Sequence, residues 1–315
     1  MSLIDVVVSL TMLAMVVLLL MPALLQATAD ARKQQCSDRL RTLGKAFLSF
    51  ENARGGFPPR RTGLGGDQPY GGWGSQLLPQ LAESLAAKYR YDYDYFDPIN
   101  QAVVETRLPM FVCPEAPPDR VLLIKSNASG NSANPDKDTL FEVNCAPNDF
   151  ISSNGLSMPR NGYGLNWPSD VSGVQHQAMT DRENLPLSKI TDGLSNTILL
   201  IEKAGAPKQC RLGKCSQDDD LFAGQNISRG TWAGFGSIQF RSVDPSDGNG
   251  PPRGDNNDCT VNCNNTFGIY AFHKAGANIL LCDGAVRFVG ERLDGLTHGR
   301  LTTRDDGQLI SNDAW

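Results

Sequence analysis

Positive charge is missing from the start of this chain. No Lys or Arg precedes Arg32, and Asp5 is the only charged side chain among residues 1–29. That excludes a secretory signal peptide, which carries a basic n-region before a short apolar core. Histidine is scarce: His176, His273 and His298 are the only three and lie far apart. No HExxH helix, P-loop or GxGxxG turn occurs, and Ser195 in GLSNT does not sit in a GxSxG elbow. The absence of CxxCH excludes c-type haem attachment. A net charge of −5 lacks the basic excess that phosphate backbones require, so no specific nucleic-acid partner is expected. With no catalytic motif behind it, the chain reads as a non-enzyme.

What is present at the N-terminus is a long uncharged run. Residues 6–25 match a hydrocarbon core of about 30 Å at 1.5 Å per residue. Ser9 and Thr11 can return their hydroxyls to backbone carbonyls, and Pro22 removes one helix hydrogen bond and should loosen or kink the helix. Asp5 is costly at the mouth of such a helix unless something compensates it. The α-amino group of Met1, on the same chain or a neighbouring copy, is the nearest candidate. A simple signal-anchor explains the apolar run but not Asp5.

Beyond Asp30 the pattern turns amphipathic. Cys36, Leu40, Leu43, Phe47 and Phe50 recur at spacings of three and four, one face of a helix. Arg32, Lys33, Arg39, Arg41 and Lys45 read as a solvated or headgroup-facing surface. Gly55, Gly56, Pro58 and Pro59 end the pattern. The expectation is one helix over residues 2–53, about 75–80 Å long. Residues 1–29 would serve as membrane or filament core, residues 30–54 would pack on the head, and residues 55–315 would form a globular β-rich head.

Eight cysteines behind a membrane or export segment point to an oxidising compartment and to as many as four disulfides. Cys210 with Cys215 and Cys259 with Cys263 are close in sequence; the same four could instead bind zinc. Cys36, Cys113, Cys145 and Cys282 are further disulfide candidates without local partners.

In the head, ANILLC and AVRFV flank Asp283-Gly284, a hairpin signal with a type I′ turn, and Ile279, Leu281, Val286 and Phe288 are its candidate buried face. Asp192-Gly193 marks a second turn before a strand over residues 197–202. Residues 230–240 read as another strand. Residues 88–96 alternate aromatic and charged residues, which fits an edge strand, a packed loop or a stacking surface. Residues 124–138 and 241–266 are loop-like. Asp218, Asp219, Asp220, Asp255 and Asp258 are candidate Ca²⁺ ligands, although the spacing is not that of an EF-hand. Asn127, Asn226 and Asn264 open glycosylation sequons. His273 reads as a structural hydrogen-bonding residue.

An acid at position 5, a twenty-residue apolar helix and Pro22 resemble the type IV pilins and type II secretion pseudopilins. The stretches at 35–59, 71–85, 111–114 (FVCP), 161–167 (NGYGLNW), 189–204 and 272–289 resemble large planctomycete-type pilin-like proteins with a domain of unknown function. The resemblance implies an α+β pilin fold, with the long N-terminal helix on an antiparallel β-sheet head bearing long disulfide-stapled loops. It implies a leader removed by a prepilin peptidase and a methylated residue 1. It also implies insertion in the cytoplasmic membrane, then assembly by pilus machinery into a homopolymer at the cell surface. There Asp5 would pair with the amine of Met1 on a neighbouring subunit. A type II secretion pseudopilin and a membrane-anchored, non-polymerising binding protein are the alternatives. No cofactor is required, and Ca²⁺ is a candidate ion.

Overall fold

The computed structural model describes residues 2–63, 68–129, 131–136, 139–156, 176–220, 230–250, 258–311 and 315. The chain opens with one uninterrupted helix, α1 (Leu3–Arg54), with Pro22 inside it. At 1.5 Å per residue it is about 78 Å long. Ser2 caps its start. Gly55 ends it at φ 76°, where its N–H reaches the Glu51 carbonyl at 2.7 Å. That left-handed conformation suits a residue without Cβ. The two halves of α1 differ sharply. Residues 2–28 are all exposed, whereas Cys36, Ser37, Leu40, Leu43, Gly44, Ala46, Phe47 and Phe50 are buried. All five apolar residues of the predicted stripe lie on that face.

Short elements follow: β1 (Arg61–Thr62) paired with β2 (Gly71–Gly72), and helical turns α2 (Trp73–Gln76), α3 (Leu78–Leu81), α4 (Glu83–Ala86) and α5 (Gln101–Val104). Residues 88–96 form a loop, not a strand, and Tyr89, Tyr95 and Phe96 are buried in the core. This leaves Tyr91 as the exposed large ring of the segment, so a broad stacking surface is absent there.

Strand β3 (Leu122–Asn127) pairs antiparallel with β4 (Leu140–Cys145). It claims the first residues of the stretch expected to be loop, because Leu122, Ile124 and Ser126 alternate inward while Leu123 and Asn127 turn outward. Strands β5 (Phe150–Leu156), β6 (Ile198–Glu202), β9 (Ser237–Phe240), β10 (Gly276–Leu281) and β11 (Val286–Gly290) make the main sheet, in the order β11-β10-β6-β5-β9. Between β6 and β9 lies the hairpin of β7 (Lys208–Arg211) and β8 (Lys214–Asp220). The sheet is mixed, because β9 runs parallel to β5. Of residues 230–240, only the last four are strand.

Strands β6 and β10 are buried along their whole length. Leu280 faces the core shared with Leu40, Leu43 and Phe47 of α1, while Ile279 and Leu281 face a second core with Ile151, Phe240 and Leu301. Leu301 comes from α6 (Gly295–Thr302), which closes that side. The expected one-sided hairpin face is therefore corrected. β10 is central and covered on both sides, and Val286 and Phe288 on edge strand β11 are only half-buried. The turn differs as well. Gly284 alone takes positive φ (87°), so it is not type I′; Gly284 N–H closes it on the Leu281 carbonyl at 3.0 Å. Asp283 serves the turn by accepting from Ala285 N–H at 2.8 Å.

The fold is thus α+β, a long N-terminal helix on a sheet-centred head. Gly44 lets helix and sheet approach closely, since a Cβ there would stand 3.0 Å from Leu280 Cδ1 and 3.4 Å from the Gly284 backbone.

Candidate functional site

Two places in the molecule call for a functional account. The first is the bare half of α1, long and apolar enough to cross a bilayer. Asp5 begins it in a capping box: Ser2 N–H donates to Asp5 Oδ2 at 2.8 Å, and Asp5 N–H donates to Ser2 Oγ at 3.3 Å. This gives Asp5 a role within its own helix that its position in the sequence did not suggest. Ser9 and Thr11 do return their hydroxyls to the Asp5 and Val8 carbonyls. Met1, the expected partner of Asp5, lies outside the described residues.

The second place is where α1 enters the head. Cys36 from α1, Cys113 from the loop before β3, Glu202 at the end of β6 and His273 just before β10 are all buried. Their thiol, carboxylate and imidazole atoms lie within 4.8 Å of one another. Cys36 Sγ donates to Glu202 Oε1 at 2.9 Å. His273 Nε2 stands 3.1 Å from the same oxygen and 3.5 Å from Cys113 Sγ. Its Nδ1 lies 2.9 Å from Glu115 Oε2. The other Glu202 oxygen, Oε2, accepts from the backbone and side-chain N–H groups of Asn278 at 2.9 and 3.1 Å.

Each group is held by its element. Cys36 sits on the buried stripe of α1. Asp149 fixes the Cys113 loop by accepting from Cys113 N–H at 2.8 Å. Arg120 clamps Asp149 in turn, with contacts of 2.8 and 2.7 Å. Arg39 of α1 also donates to the Val112 carbonyl. Glu202 is positioned by β6, whose pairing is extended by Tyr270 N–H on the Glu202 carbonyl at 2.9 Å.

Burial pushes the Cys36 thiol well up, helped by Cys113 and by the charge of Glu202. Burial acts to raise Glu202, but the hydrogen bonds and charge of His273, with the hydrogen bonds of Cys113 and Cys36, together outweigh it and hold the carboxyl below its usual range. Burial acts to lower His273, and its hydrogen bonds to Cys113 and Glu202 overcome that, pushing it up to about 11. Without a further ligand the cluster is a neutral Cys36 thiol, a carboxylate and an imidazolium. Chemically, the four groups are all of metal-ligand type.

The disulfides form in part as expected. Cys210–Cys215 spans the β7–β8 hairpin and Cys259–Cys263 closes a short loop, so these four do not make a zinc site. Cys36, Cys113, Cys145 and Cys282 are buried thiols, which corrects the disulfide expectation for them. Burial pushes Cys145 up to about 12 and Cys282 well up, so both are inert thiols.

The acidic stretch at 218–220 is the end of strand β8, not a loop. Asp258 accepts from Gly295 N–H at 2.7 Å and from Ser242 Oγ at 3.0 Å, and so anchors the start of α6. Asp255 lies outside the described residues, as do Asn226 and the NGYGLNW stretch. Asn264 is buried and bonded to the Gly248 carbonyl and Thr266 N–H, so it cannot accept a glycan in the folded chain. Asn127 is exposed at the end of β3.

Glu202 and Glu115 carried no signal by themselves in the sequence. The available clue was positional: all four cluster residues fall in the stretches 35–59, 111–114, 189–204 and 272–289 that carry the family resemblance. A family model described as "Protein of unknown function (DUF1559)" matches residues 26–296, and the chain belongs to that family. No curated protein and no solved structure is significantly similar to it.

Proposed function

We propose that this DUF1559 protein is a membrane-inserted subunit that polymerises through α1 into an extracellular filament of the type IV pilin kind. The observation that carries the reading is the exposure of every residue from 2 to 28 on a helix that is apolar all round. Such a surface needs lipid or other helices around it. Among the described residues the head supplies no cover.

Before assembly α1 spans the cytoplasmic membrane with the head outside. The assembly machinery then draws it into a bundle of identical helices, and apolar surroundings are kept throughout. Prepilin peptidase would expose the amine of residue 1. Asp5 pairs with that amine on a neighbour, because a carboxylate left unpaired in the bundle would cost several kcal/mol. The head contributes bulk and no catalysis. One observation favours the non-polymerising anchor instead: the capping box already employs Asp5 within its own chain.

Asp5→Asn separates the two, since Asn keeps a capping acceptor and loses the charge. Filament yield in sheared surface material, imaged by electron microscopy, should fall more than about tenfold while membrane-inserted chain persists. Undiminished filaments would overturn Asp5 pairing. A wild-type chain that never leaves the membrane fraction would favour the anchor.

A further inference from the structure

We infer that Cys36, Cys113, Glu202 and His273 form a closed zinc site that fastens the stalk helix to the head. The inference does not depend on polymerisation. In a tetrahedral zinc site with bonds of about 2.0–2.3 Å, ligand atoms stand roughly 3.3–3.8 Å apart. Here the donor atoms already lie within 4.8 Å of one another, with contacts of 2.9, 3.1 and 3.5 Å among them. The close pairs would move outward and the widest inward, each by about an ångström or less, to admit the ion.

The outer contacts point the same way. His273 turns Nε2 toward the cluster while Nδ1 meets Glu115, the carboxylate–histidine–metal arrangement that fixes a ligating ring. Glu202 gives Oε2 to Asn278 and keeps Oε1 for the centre. A Cys36–Cys113 disulfide would use the two sulfurs and leave both of these orientations without a purpose.

Two thiolates, one imidazole and one carboxylate suit a borderline-soft, four-coordinate ion and not Ca²⁺ or Mg²⁺, which take oxygen ligands. Four protein ligands leave no open position, so the ion cross-links and does not catalyse. Zn²⁺ takes both sulfurs as thiolates and His273 through a bare Nε2, so binding releases protons and weakens as pH falls. The way in is a cleft of about 440 Å³ between residues 26–33 of α1 and residues 272–274, with Glu115 and His273 in its wall.

The test uses the full chain, purified in detergent without reductant or chelator. Elemental analysis should find one zinc per chain, with Cys36 and Cys113 recovered as thiols in peptide mapping. Replacement by Co²⁺ should give a near-ultraviolet sulfur-to-cobalt charge-transfer band and intense tetrahedral d–d bands, both weakened in Cys113→Ser. Glu115→Gln, which leaves all four ligands in place, should weaken Zn²⁺ binding 10- to 100-fold in chelator competition. A Cys36–Cys113 disulfide in this material would overturn the assignment. So would a wild-type chain with both thiols free that gives no sulfur-to-cobalt band. Neither result depends on a variant folding.

Discussion

His273 Nδ1 and Glu115 Oε2 stand 2.9 Å apart, and that contact aims the opposite edge of the ring at Glu202 and Cys113. The imidazole is thus clamped between two carboxylates, Glu115 at the edge of the cleft and Glu202 fully buried. A ring this deep would ordinarily be neutral, and its contacts with Cys113 and Glu202 are why it is not. The same clamp ties the end of β6 to the segment before β10, while Cys36 joins α1 to both through Glu202.

The loop that carries Cys113 rests on one carboxylate. Asp149 accepts from both Arg120 Nη groups, from Cys113 N–H and from Gly205 N–H. Asp149→Ala would strand the buried Arg120 guanidinium and release two backbone N–H groups. The expected loss is about 3–5 kcal/mol, read by urea unfolding of the detergent-solubilised chain. A loss below about 1 kcal/mol, the worth of an exposed pair, would contradict the account.

Close packing of α1 on the last hairpin depends on Gly44. In Gly44→Val the new Cβ would meet Leu280 Cδ1 at 3.0 Å, with two further carbons to place against the Gly284 backbone. Overpacking of this kind should cost about 1–3 kcal/mol and lower the thermal midpoint of the head. An unchanged midpoint would mean that helix and hairpin do not pack as described.

His298 on α6 supplies a pH dependence. It is buried against Phe240, with ring centroids 5.2 Å apart, and burial pushes its pKa down from 6.5 to about 4. Its Nε2 has no hydrogen-bond partner among the described residues. As pH falls below 6.5 the unfolded chain takes up a proton that the folded chain refuses, so stability declines until about pH 4 and then levels. The full decline from this residue is about 3 kcal/mol. His298→Phe should flatten the stability profile between those limits in denaturant melts at stepped pH. A profile as steep as wild type would exclude His298 as its source.

Much of this architecture could be read from local pattern. The stripe Cys36–Leu40–Leu43–Phe47–Phe50, the glycine stop at Gly55, strand β6 after Asp192-Gly193 and the two short-range disulfides all follow from spacing or turn chemistry a few residues long. What escaped depends on distant partners. β9 pairs parallel with β5, and nothing in SIQF itself names that neighbour. β3 hides in a Ser- and Asn-rich run because only β4 completes it. Asp258 anchors α6 through Gly295 N–H, a partner 37 positions away that the acidic loop around it does not name. The four-residue cluster is the extreme case: Cys36 and Glu202 are 166 positions apart, Cys113 and His273 160 apart, with no motif between them. Type I′ chemistry failed at Asp283 because the residue bonds Ala285 N–H without entering the left-handed region.

The cleft beside His273 has a consequence for timing. Its helical wall, residues 26–33, directly follows the apolar run at residues 6–25. On a helix that fills the hydrocarbon with that run, this wall lies at the depth of lipid headgroups. Anionic phosphates enrich cations at that depth. In the proposed assembly the helix leaves the bilayer, and the cleft mouth leaves the headgroup layer with it. On the proposed zinc reading, loading of the site would therefore be favoured at the membrane-resident stage.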